Sequence, residues 1–275
     1  MDKRPKIGLA LGAGAARGIA HLGVLRTLEK YKLPVDFIAG SSMGALVGAL
    51  YACGIDVNFL IKFANELRTK SWVDLCMPRT GLISGKKVET MLQMLTRNRT
   101  FDQLKIPFAA VTTDIERGEA VVIKEGNVAA AVRASISIPV IFKPVRMDGR
   151  LLVDGGVVDR VPVSVVREMG ADMVIAVDVN RYAEFQPVVN IVDVMFQTLD
   201  IMERKILSAM VLDTEILIRP KVGHISPAHF HRVDELVQAG EEAAEAAMGR
   251  VGCILRDKLR SADSGNQRPP ARKGP

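Results

Sequence analysis

The sequence contains little cysteine and no closely spaced cysteine pair. Its three cysteines, Cys53, Cys76 and Cys253, are far apart in the 275-residue chain. Metal and redox sites commonly use two cysteines separated by two residues, so this distribution favours neither kind of site. Isolated cysteines are typical of a reducing compartment, and we expect a cytoplasmic protein.

The sequence also lacks a convincing membrane span. The run from Phe37 to Ile55 is uncharged and long enough to cross a bilayer, but its glycines and serines indicate a buried core segment. The N-terminal stretch MDKRPKIGLALGAG places positive charge before an apolar run that is short and interrupted by glycine, so it does not resemble a signal peptide. Any contact with a membrane is therefore expected to be peripheral and to involve the inner face of that membrane.

The central part of the chain has no excess of positive charge. The net charge is +6, but residues 1–6 contribute +2 and residues 256–275 contribute +4, so residues 7–255 are formally neutral. This distribution does not indicate a basic face for phosphates, and we expect no nucleic-acid partner. The basic ends either attract the protein to an anionic membrane surface or belong to a solvated tail.

The composition allows one ordinary domain followed by a tail. Apolar residues make up 48% of the chain and charged residues 25%, which supplies a core without disulfides or metals. From Ser261 onward the sequence SADSGNQRPPARKGP has no periodicity. We therefore expect one domain over residues 1–260 and a disordered basic tail over 261–275.

Apolar segments of strand type alternate with helix-type segments, which predicts an α/β fold with a mainly parallel sheet between layers of helices. A helix is predicted over 17–31, with Ile19, Leu22, Leu25 and Leu28 at helical spacing, and another from Met43. The predicted strands are residues 6–11, 35–39, 108–113, 120–123, 151–153, 173–177 and 215–218.

Residues 188–212 predict a long helix with apolar residues on one face. These are Ile191, Met195, Leu199, Met202, Ile206 and Met210. Burial of this face against the sheet is the simplest interpretation. A methionine-rich face also suits an adaptable interface with lipid or with a second subunit, which leaves the oligomeric state open and a homodimer as one option.

A G-x-S-x-G motif lies between a predicted strand and a predicted helix. It consists of Gly40, Ser42 and Gly44 with Ser41 and Met43 between them. A serine on so sharp a turn projects its hydroxyl from the sheet edge, and the flanking glycines avoid a clash of Cβ atoms in the bend. The motif predicts a nucleophile elbow with Ser42 as the reactive residue.

A glycine-rich loop, Gly12 to Gly18, lies between the first predicted strand and helix. Its glycines follow G-x-G-x-x-x-G rather than the G-x-G-x-x-G of dinucleotide-binding loops, and no acidic residue ends the second strand. We therefore expect no nucleotide cofactor, and no ligand cluster indicates a metal. A loop of this kind can also present N–H donors to the oxyanion formed in acyl transfer.

A third motif, Asp154-Gly155-Gly156, follows the apolar run 151–153 and would by itself indicate only a turn. In this order, however, the three motifs resemble the G-x-G-x-x-R-G, G-x-S-x-G and D-G-G/A pattern of the patatin-like phospholipases. Residues 111–119 (VTTDIERGE) and 134–139 (ASISIP) are also similar to bacterial members. The resemblance covers roughly residues 6–180.

The resemblance implies a serine esterase or lipid acyl hydrolase of phospholipase A type. It implies Ser42 as nucleophile and Asp154 as general base, without a histidine. The loop becomes the oxyanion hole, and its residues are Gly12, Gly14, Ala15, Arg17 and Gly18. The N–H groups of Gly14 and Ala15 are the expected donors, Met43 N–H is an additional one, and Arg17 is expected to hold the loop in place.

The sequence leaves two alternatives open. An α/β-hydrolase triad would run from Ser42 through Asp154 or Asp178 to one of His224, His229 and His231. However, such enzymes reach their elbow only after several strands. A non-hydrolytic adaptor would retain the fold, although it has no physical need for the serine, the aspartate and the glycine loop together. The same chemistry would also serve thioesters and simple esters.

Overall fold

A computed structural model of the protein describes residues 4–67, 73–77, 80–180, 188–189, 191–209 and 213–264. Ten strands lie in these described ranges. They are β1 (Ile7–Leu11), β2 (Phe37–Ser41), β3 (Gly81–Ile83), β4 (Phe108–Asp114), β5 (Glu119–Ile123), β6 (Val140–Phe142), β7 (Val145–Met147), β8 (Arg150–Asp154), β9 (Met173–Val177) and β10 (Ile216–Ile218).

Eight of these strands form the main sheet, in the order β10-β9-β1-β2-β4-β8-β7, with β5 paired to β4. The strands from β10 to β4 run parallel to their neighbours. The pairs β4–β5, β4–β8 and β7–β8 are antiparallel. The prediction of a mainly parallel sheet is confirmed, and the antiparallel part lies at the β8 end.

Helices cover both faces of the sheet, as predicted. In the described part of the chain they are α1 (Ala20–Lys30), α2 (Met43–Ala52), α3 (Val57–Glu66), α4 (Lys86–Thr96), α5 (Val128–Ser135), α6 (Val163–Glu168), α7 (Ile191–Ala209) and α8 (Val233–Ser264). Leu9 and Leu11 of β1 pack into the larger core, which includes α1, α2 and α8. Ala10 faces the opposite way and packs with Val166 of α6, because side chains alternate along a strand.

The predicted helix over 188–212 is present as α7, but two residues of its predicted apolar face are exposed. Ile191 is 77% exposed and Met202 is 56% exposed, whereas Met195 and Leu199 are partly buried. The interpretation that this face is buried along its length is therefore wrong. Met210 lies outside the described residues.

The C-terminal region differs from the predicted boundary. Helix α8 continues to Ser264, beyond the predicted start of the tail at Ser261, and residues 265–275 lie outside the described part of the chain. Among the residues that the structure describes, no helix is long and apolar enough to span a bilayer.

Candidate active site

Ser42 lies at the junction of β2 and α2, in the sharp bend that the G-x-S-x-G motif predicts. Its backbone has φ 55° and ψ −124°, and such a conformation costs a non-glycine residue about 1–3 kcal/mol. A Cβ on Gly40 would lie 2.4 Å from the Gly44 carbonyl oxygen, and a Cβ on Gly44 would lie 2.1 Å from the Leu11 carbonyl oxygen. The bend therefore requires glycine at both positions.

The side chains of Ser42 and Asp154 are in direct contact. Asp154 is the last residue of β8 and is separated from β2 by strand β4. The Ser42 hydroxyl donates to Asp154 Oδ2 over 2.6 Å, and the Gly156 N–H donates to Oδ1 over 2.8 Å. An O–H···O contact of this length is in the range of charge-assisted bonds. The arrangement allows the serine proton to pass directly to the carboxylate.

The surroundings of Asp154 make it a stronger base than an ordinary aspartate. Burial disfavours the charged carboxylate and raises the pKa of Asp154 to about 6. Hydrogen bonds from Ser42 and Gly156, and the positive charge of Arg160, act in the opposite direction and lower it. Burial has the larger effect, and the carboxylate is still mostly ionised at neutral pH.

The glycine-rich loop between β1 and α1 lies beside this pair, and most of its N–H groups are already used. Four of the N–H groups donate to backbone carbonyl oxygens: that of Gly12 to Val177 over 3.0 Å, that of Ala13 to Arg160 over 2.9 Å, that of Ala16 to Pro227 over 3.0 Å and that of Arg17 to Gly14 over 3.0 Å. No hydrogen bond joins the N–H of Gly14 or Ala15 to another described residue. Both residues line the same cavity as Ser42. Of the loop amides, these two are available to an oxyanion, and the Gly12 amide is not.

Arg17 and Gly18 shape the loop rather than line the cavity. The Arg17 guanidinium is buried, and it donates to the carbonyl oxygen of Ile225 over 2.7 Å and to Asp200 Oδ2 over 2.8 Å. It also donates to Asn180 Oδ1. A Cβ on Gly18 would lie 2.5 Å from the Met43 side chain, so glycine at that position lets the loop pack against the start of α2.

The cavity that contains Ser42 and Asp154 has a mainly apolar lining. Its other lining residues are Ala13, Gly14, Ala15, Ile138, Pro139, Val157, Arg160, Phe196, Leu199, Asp200 and Pro227. Phe196, Leu199 and Asp200 belong to α7, which thereby forms one wall. The cavity therefore combines a polar floor of serine, aspartate and backbone amides with apolar walls.

Residues 9–167 match the family model described as patatin-like phospholipase. This segment makes up more than half of the chain and contains both Ser42 and Asp154. The chain belongs to the patatin-like phospholipase family.

Known members and relatives of this family are similar to the chain to different extents. An uncharacterized NTE family protein of Mycobacterium tuberculosis is 38% identical over 179 residues, which cover 64% of this chain and 49% of that protein. Patatin-like phospholipase domain-containing protein 7 of Mus musculus is 37% identical over 191 residues, which cover 65% of this chain and 14% of that protein. The chain thus spans about half the length of the mycobacterial relative.

The fold is also similar to a solved structure. The crystal structure of VipD from Legionella pneumophila matches with a TM-score of 0.51 and 13% identity, covering 89% of this chain and 67% of that chain. At this level of identity the likeness concerns the fold alone.

The histidines of this patatin-like chain lie in other surroundings, and none of them lines the described cavity. His21 is fully buried, its Nε2 is 2.8 Å from the Gly12 carbonyl oxygen, and burial lowers its pKa to about 4. Since a carbonyl only accepts, the Nε2–H donates, and the low pKa keeps the ring neutral.

The other three histidines are also away from the Ser42–Asp154 pair. His224 contacts Glu235 at 2.7 Å, while the rings of His229 and His231 lie 5.3 Å apart. The Ser42–Asp154 contact therefore leaves no place for an intervening imidazole.

Asp178, which the triad alternative would use, acts at a turn, and so does Asp114. Asp114 accepts hydrogen bonds from the backbone N–H groups of Glu116 and Arg117, and Asp178 accepts one from that of Asn180. No group of three or more His, Cys, Asp or Glu side chains in the described ranges is arranged to hold a metal ion.

Sequence reasoning missed several residues of this site. Arg160 and the α7 residues Phe196 and Asp200 line the cavity, but no motif in the sequence marks them. Ser135 contacts the elbow through a hydrogen bond to the Ser42 N–H. Its segment, 134–139, is similar to bacterial members of the family, and that similarity is the signal in the sequence that points to Ser135.

Proposed function

We propose that this chain hydrolyses carboxylic esters of lipids, with Ser42 as nucleophile and Asp154 as general base. The observation that carries the proposal is the 2.6 Å contact between Ser42 Oγ and Asp154 Oδ2 inside a cavity. Membership of a family of phospholipases supports a lipid ester as the substrate class. The mainly apolar walls around Ser42 suit an acyl chain better than a charged group.

Acylation begins with transfer of the Ser42 hydroxyl proton to Asp154 Oδ2 as Oγ attacks the ester carbonyl carbon. The carbonyl π electrons move to its oxygen, and a tetrahedral oxyanion forms. When this intermediate collapses, the bond between the carbonyl carbon and the alkoxy oxygen breaks. Asp154 returns its proton to the leaving alcohol, and the acyl group remains on Ser42.

Deacylation repeats these steps with water in place of serine. Asp154 accepts a proton from water as the water oxygen attacks the acyl carbon. Collapse of the second intermediate breaks the bond to Ser42 Oγ, which recovers its proton from Asp154. The products are a fatty acid and the free enzyme, so the cycle consumes one water and requires no cofactor.

The oxyanion is proposed to accept hydrogen bonds from Gly14 and Ala15. Their N–H groups have no other described partner and lie in the lining beside Ser42. Ala15 has a positive φ of 46°, which is consistent with a loop held in a special conformation for this purpose. Removing one such donor from an oxyanion hole typically costs about a hundredfold to a thousandfold in kcat. The N–H of Met43, which follows the nucleophile, is a further candidate donor.

A lipid substrate would reach Ser42 from a bilayer or micelle, and we propose peripheral contact for this step. Val194, Ile201 and Met202 of α7 are exposed on the same helix that lines the cavity through Phe196 and Leu199. Exposed apolar side chains beside a cavity supply area for shallow insertion into lipid. The basic ends add attraction to anionic lipid.

A fluorophosphonate probe tests the proposal and separates it from an adaptor function, because it labels only an activated serine. We expect covalent labelling at Ser42, located by peptide mass spectrometry, and no labelling of Ser42→Ala. Fatty acid released from a panel of phospholipids, lysophospholipids, thioesters and short-chain esters then identifies the substrate class. A chelator is expected to leave turnover unchanged. The proposal would be contradicted if the native protein neither reacted with the probe nor hydrolysed any ester of the panel.

A further inference from the structure

One short segment is hydrogen-bonded to the backbones of both Ser42 and Asp154, although Ser42 follows β2, Asp154 ends β8, and these strands are not neighbours. Strand β4 separates β2 from β8. Ser135, at the end of α5, accepts a hydrogen bond from the Ser42 N–H through its hydroxyl oxygen over 3.0 Å. Two residues later, the Ser137 carbonyl accepts the Asp154 N–H over 2.9 Å. Residues 135–137 therefore bridge the nucleophile and the base.

The Ser135 hydroxyl occupies the next rung of the β2–β4 ladder. Ile38 is paired with Phe108, and the Ile38 N–H donates to the Pro107 carbonyl over 3.0 Å. In a parallel ladder this relation repeats every second residue, so the Ser42 N–H would donate to the Val111 carbonyl. At Ser42 the chain bends into the elbow, and Ser135 Oγ lies between the two groups. It accepts from Ser42 and donates to the Val111 carbonyl over 2.6 Å.

The Ser135 hydroxyl both accepts and donates a hydrogen bond, and its position is closed to solvent. Ser135 is fully buried. An alanine at this position would leave the Ser42 N–H and the Val111 carbonyl without this partner, and buried backbone groups without partners are unfavourable. The hydroxyl therefore favours the backbone conformation in which Ser42 has a positive φ.

The bridging segment is itself anchored. The guanidinium of Arg133, which is buried, donates to Ser137 Oγ over 2.6 Å and to the Ser84 carbonyl over 2.8 Å. It also stacks on the Phe142 ring at 5.1 Å. These contacts tie the end of α5 to the neighbouring two-stranded sheet, which β3 and β6 form. The bridging segment therefore has little freedom to shift.

We propose that Ser135 is a positioning residue for the reaction at Ser42. Its hydroxyl, held by the Val111 carbonyl, keeps the elbow in its strained conformation. Together with the Ser137 carbonyl it sets the placement of Ser42 Oγ against Asp154 Oδ2. This inference rests on the proposed esterase function, since positioning matters only if Ser42 is the nucleophile.

Loss of the hydroxyl is expected to slow chemistry without weakening substrate binding. In Ser135→Ala the Ser42 backbone relaxes and its Oγ moves relative to Asp154, while the cavity walls are unchanged. A displacement of about 1 Å lowers kcat by about tenfold to a hundredfold. KM is expected to stay within about twofold, because contacts made equally in the ground state remain.

The test uses three variants at this position and one control in the full chain. Ser135→Ala removes the hydroxyl, Ser135→Cys replaces it with a weakly hydrogen-bonding thiol of similar size, and Ser135→Thr keeps it. Thr96→Val is the control, because Thr96 is also buried but its hydroxyl donates to the Leu92 carbonyl within α4. The measurements are kcat and KM on a soluble ester, the rate of fluorophosphonate labelling at Ser42, and Tm.

The proposal predicts lower kcat and slower labelling for the Ala and Cys variants, recovery in Ser135→Thr, and a change in Tm alone for Thr96→Val. Folded Ala or Cys variants with the native kcat and labelling rate would overturn it. So would a rise in KM without a fall in kcat. If the native protein itself neither labels nor turns over, the proposed function fails instead, so the two failures are distinguishable.

Discussion

At the residue scale, burial adapts an aspartate to a task that usually falls to histidine. An exposed carboxylate with an ordinary pKa is a weak base for a serine hydroxyl, and general bases work best with a pKa near the working pH. Burial raises the pKa of Asp154 to about 6 while leaving the hydrogen bonds to Ser42 and Gly156 intact. The site thereby gains basicity without an imidazole.

This pKa predicts the pH dependence of the reaction. Asp154 must be ionised to accept the serine proton, so kcat/KM should fall as the pH drops below about 6 and reach a plateau above it. A series of kcat/KM measurements on a soluble ester between about pH 4.5 and about pH 8 checks this. A flat profile across that range would contradict the assignment of Asp154 as the base.

The sequence predicted the reactive pair but not the groups that hold it. Ser42 follows a strand and Asp154 ends one, each in a motif with glycine neighbours, and such local patterns are visible in one sequence. The contact between Ser135 and Ser42 joins residues 93 positions apart, and it exists because the Ser135 hydroxyl lies between the Ser42 N–H and the Val111 carbonyl. A local sequence pattern carries no information on which distant residues meet in this way, so Ser135 was not predicted as part of the site.

At the element scale, the existence of the buried strands was predicted better than the residues at which they begin and end. The predicted strand 173–177 coincides with β9, because a fully apolar run in the centre of a parallel sheet has clear limits. The predicted strand 35–39 is shifted to β2 at Phe37–Ser41. Asp36, just before it, still donates its N–H to the Ile7 carbonyl over 2.8 Å. Its carboxylate accepts the Ile7 N–H over 2.8 Å, so a side chain as well as the backbone holds the start of this strand.

Helix α7 shows the limit of periodicity. Its apolar spacing predicted a helix correctly, but a hydrophobic pattern does not say what will cover the apolar residues. Phe196 and Leu199 line the cavity, whereas Ile191 and Met202 are exposed. The difference depends on how the helix is placed on the rest of the domain, and the ion pair of Arg17 with Asp200 helps to determine that placement.

The position of Phe196 predicts a change in chain-length preference. Phe196→Ala removes an apolar wall, and burial of such a side chain against a ligand contributes about 1.5–3 kcal/mol. We expect kcat/KM to fall about tenfold to a hundredfold for long acyl chains, and much less for short-chain esters that do not reach the wall. The exposed residue Thr198 on the same helix supplies the control Thr198→Ala, because it neither lines the cavity nor belongs to the exposed apolar residues of α7. Equal losses for long and short chains would argue against an acyl-binding wall.

At the scale of the whole molecule, positive charge is concentrated at the ends of a chain whose central part is neutral. Residues 265–275, beyond α8, include Arg268, Arg272 and Lys273 and no acidic residue. Each basic residue near an anionic membrane contributes about 1 kcal/mol of attraction, which salt weakens.

Truncation after Ser264 is therefore expected to weaken binding to anionic vesicles at low salt while leaving hydrolysis of a soluble ester unchanged. Co-sedimentation with anionic and neutral vesicles at two salt concentrations measures the effect. Neutral vesicles serve as the control, since they should bind the full and truncated chains alike. Equal binding of both chains to anionic vesicles would assign the tail no role at a membrane.

The measurement that tests the central claim most directly is a double-mutant comparison of Ser42→Ala, Asp154→Asn and the double variant, with Tm as a check on folding. If the two residues act as one unit, each single change should lower kcat by about a thousandfold or more, and the double variant should be little worse than either. Near-native activity in a folded Asp154→Asn variant, combined with loss of activity in His224→Ala or His229→Ala, would contradict the account.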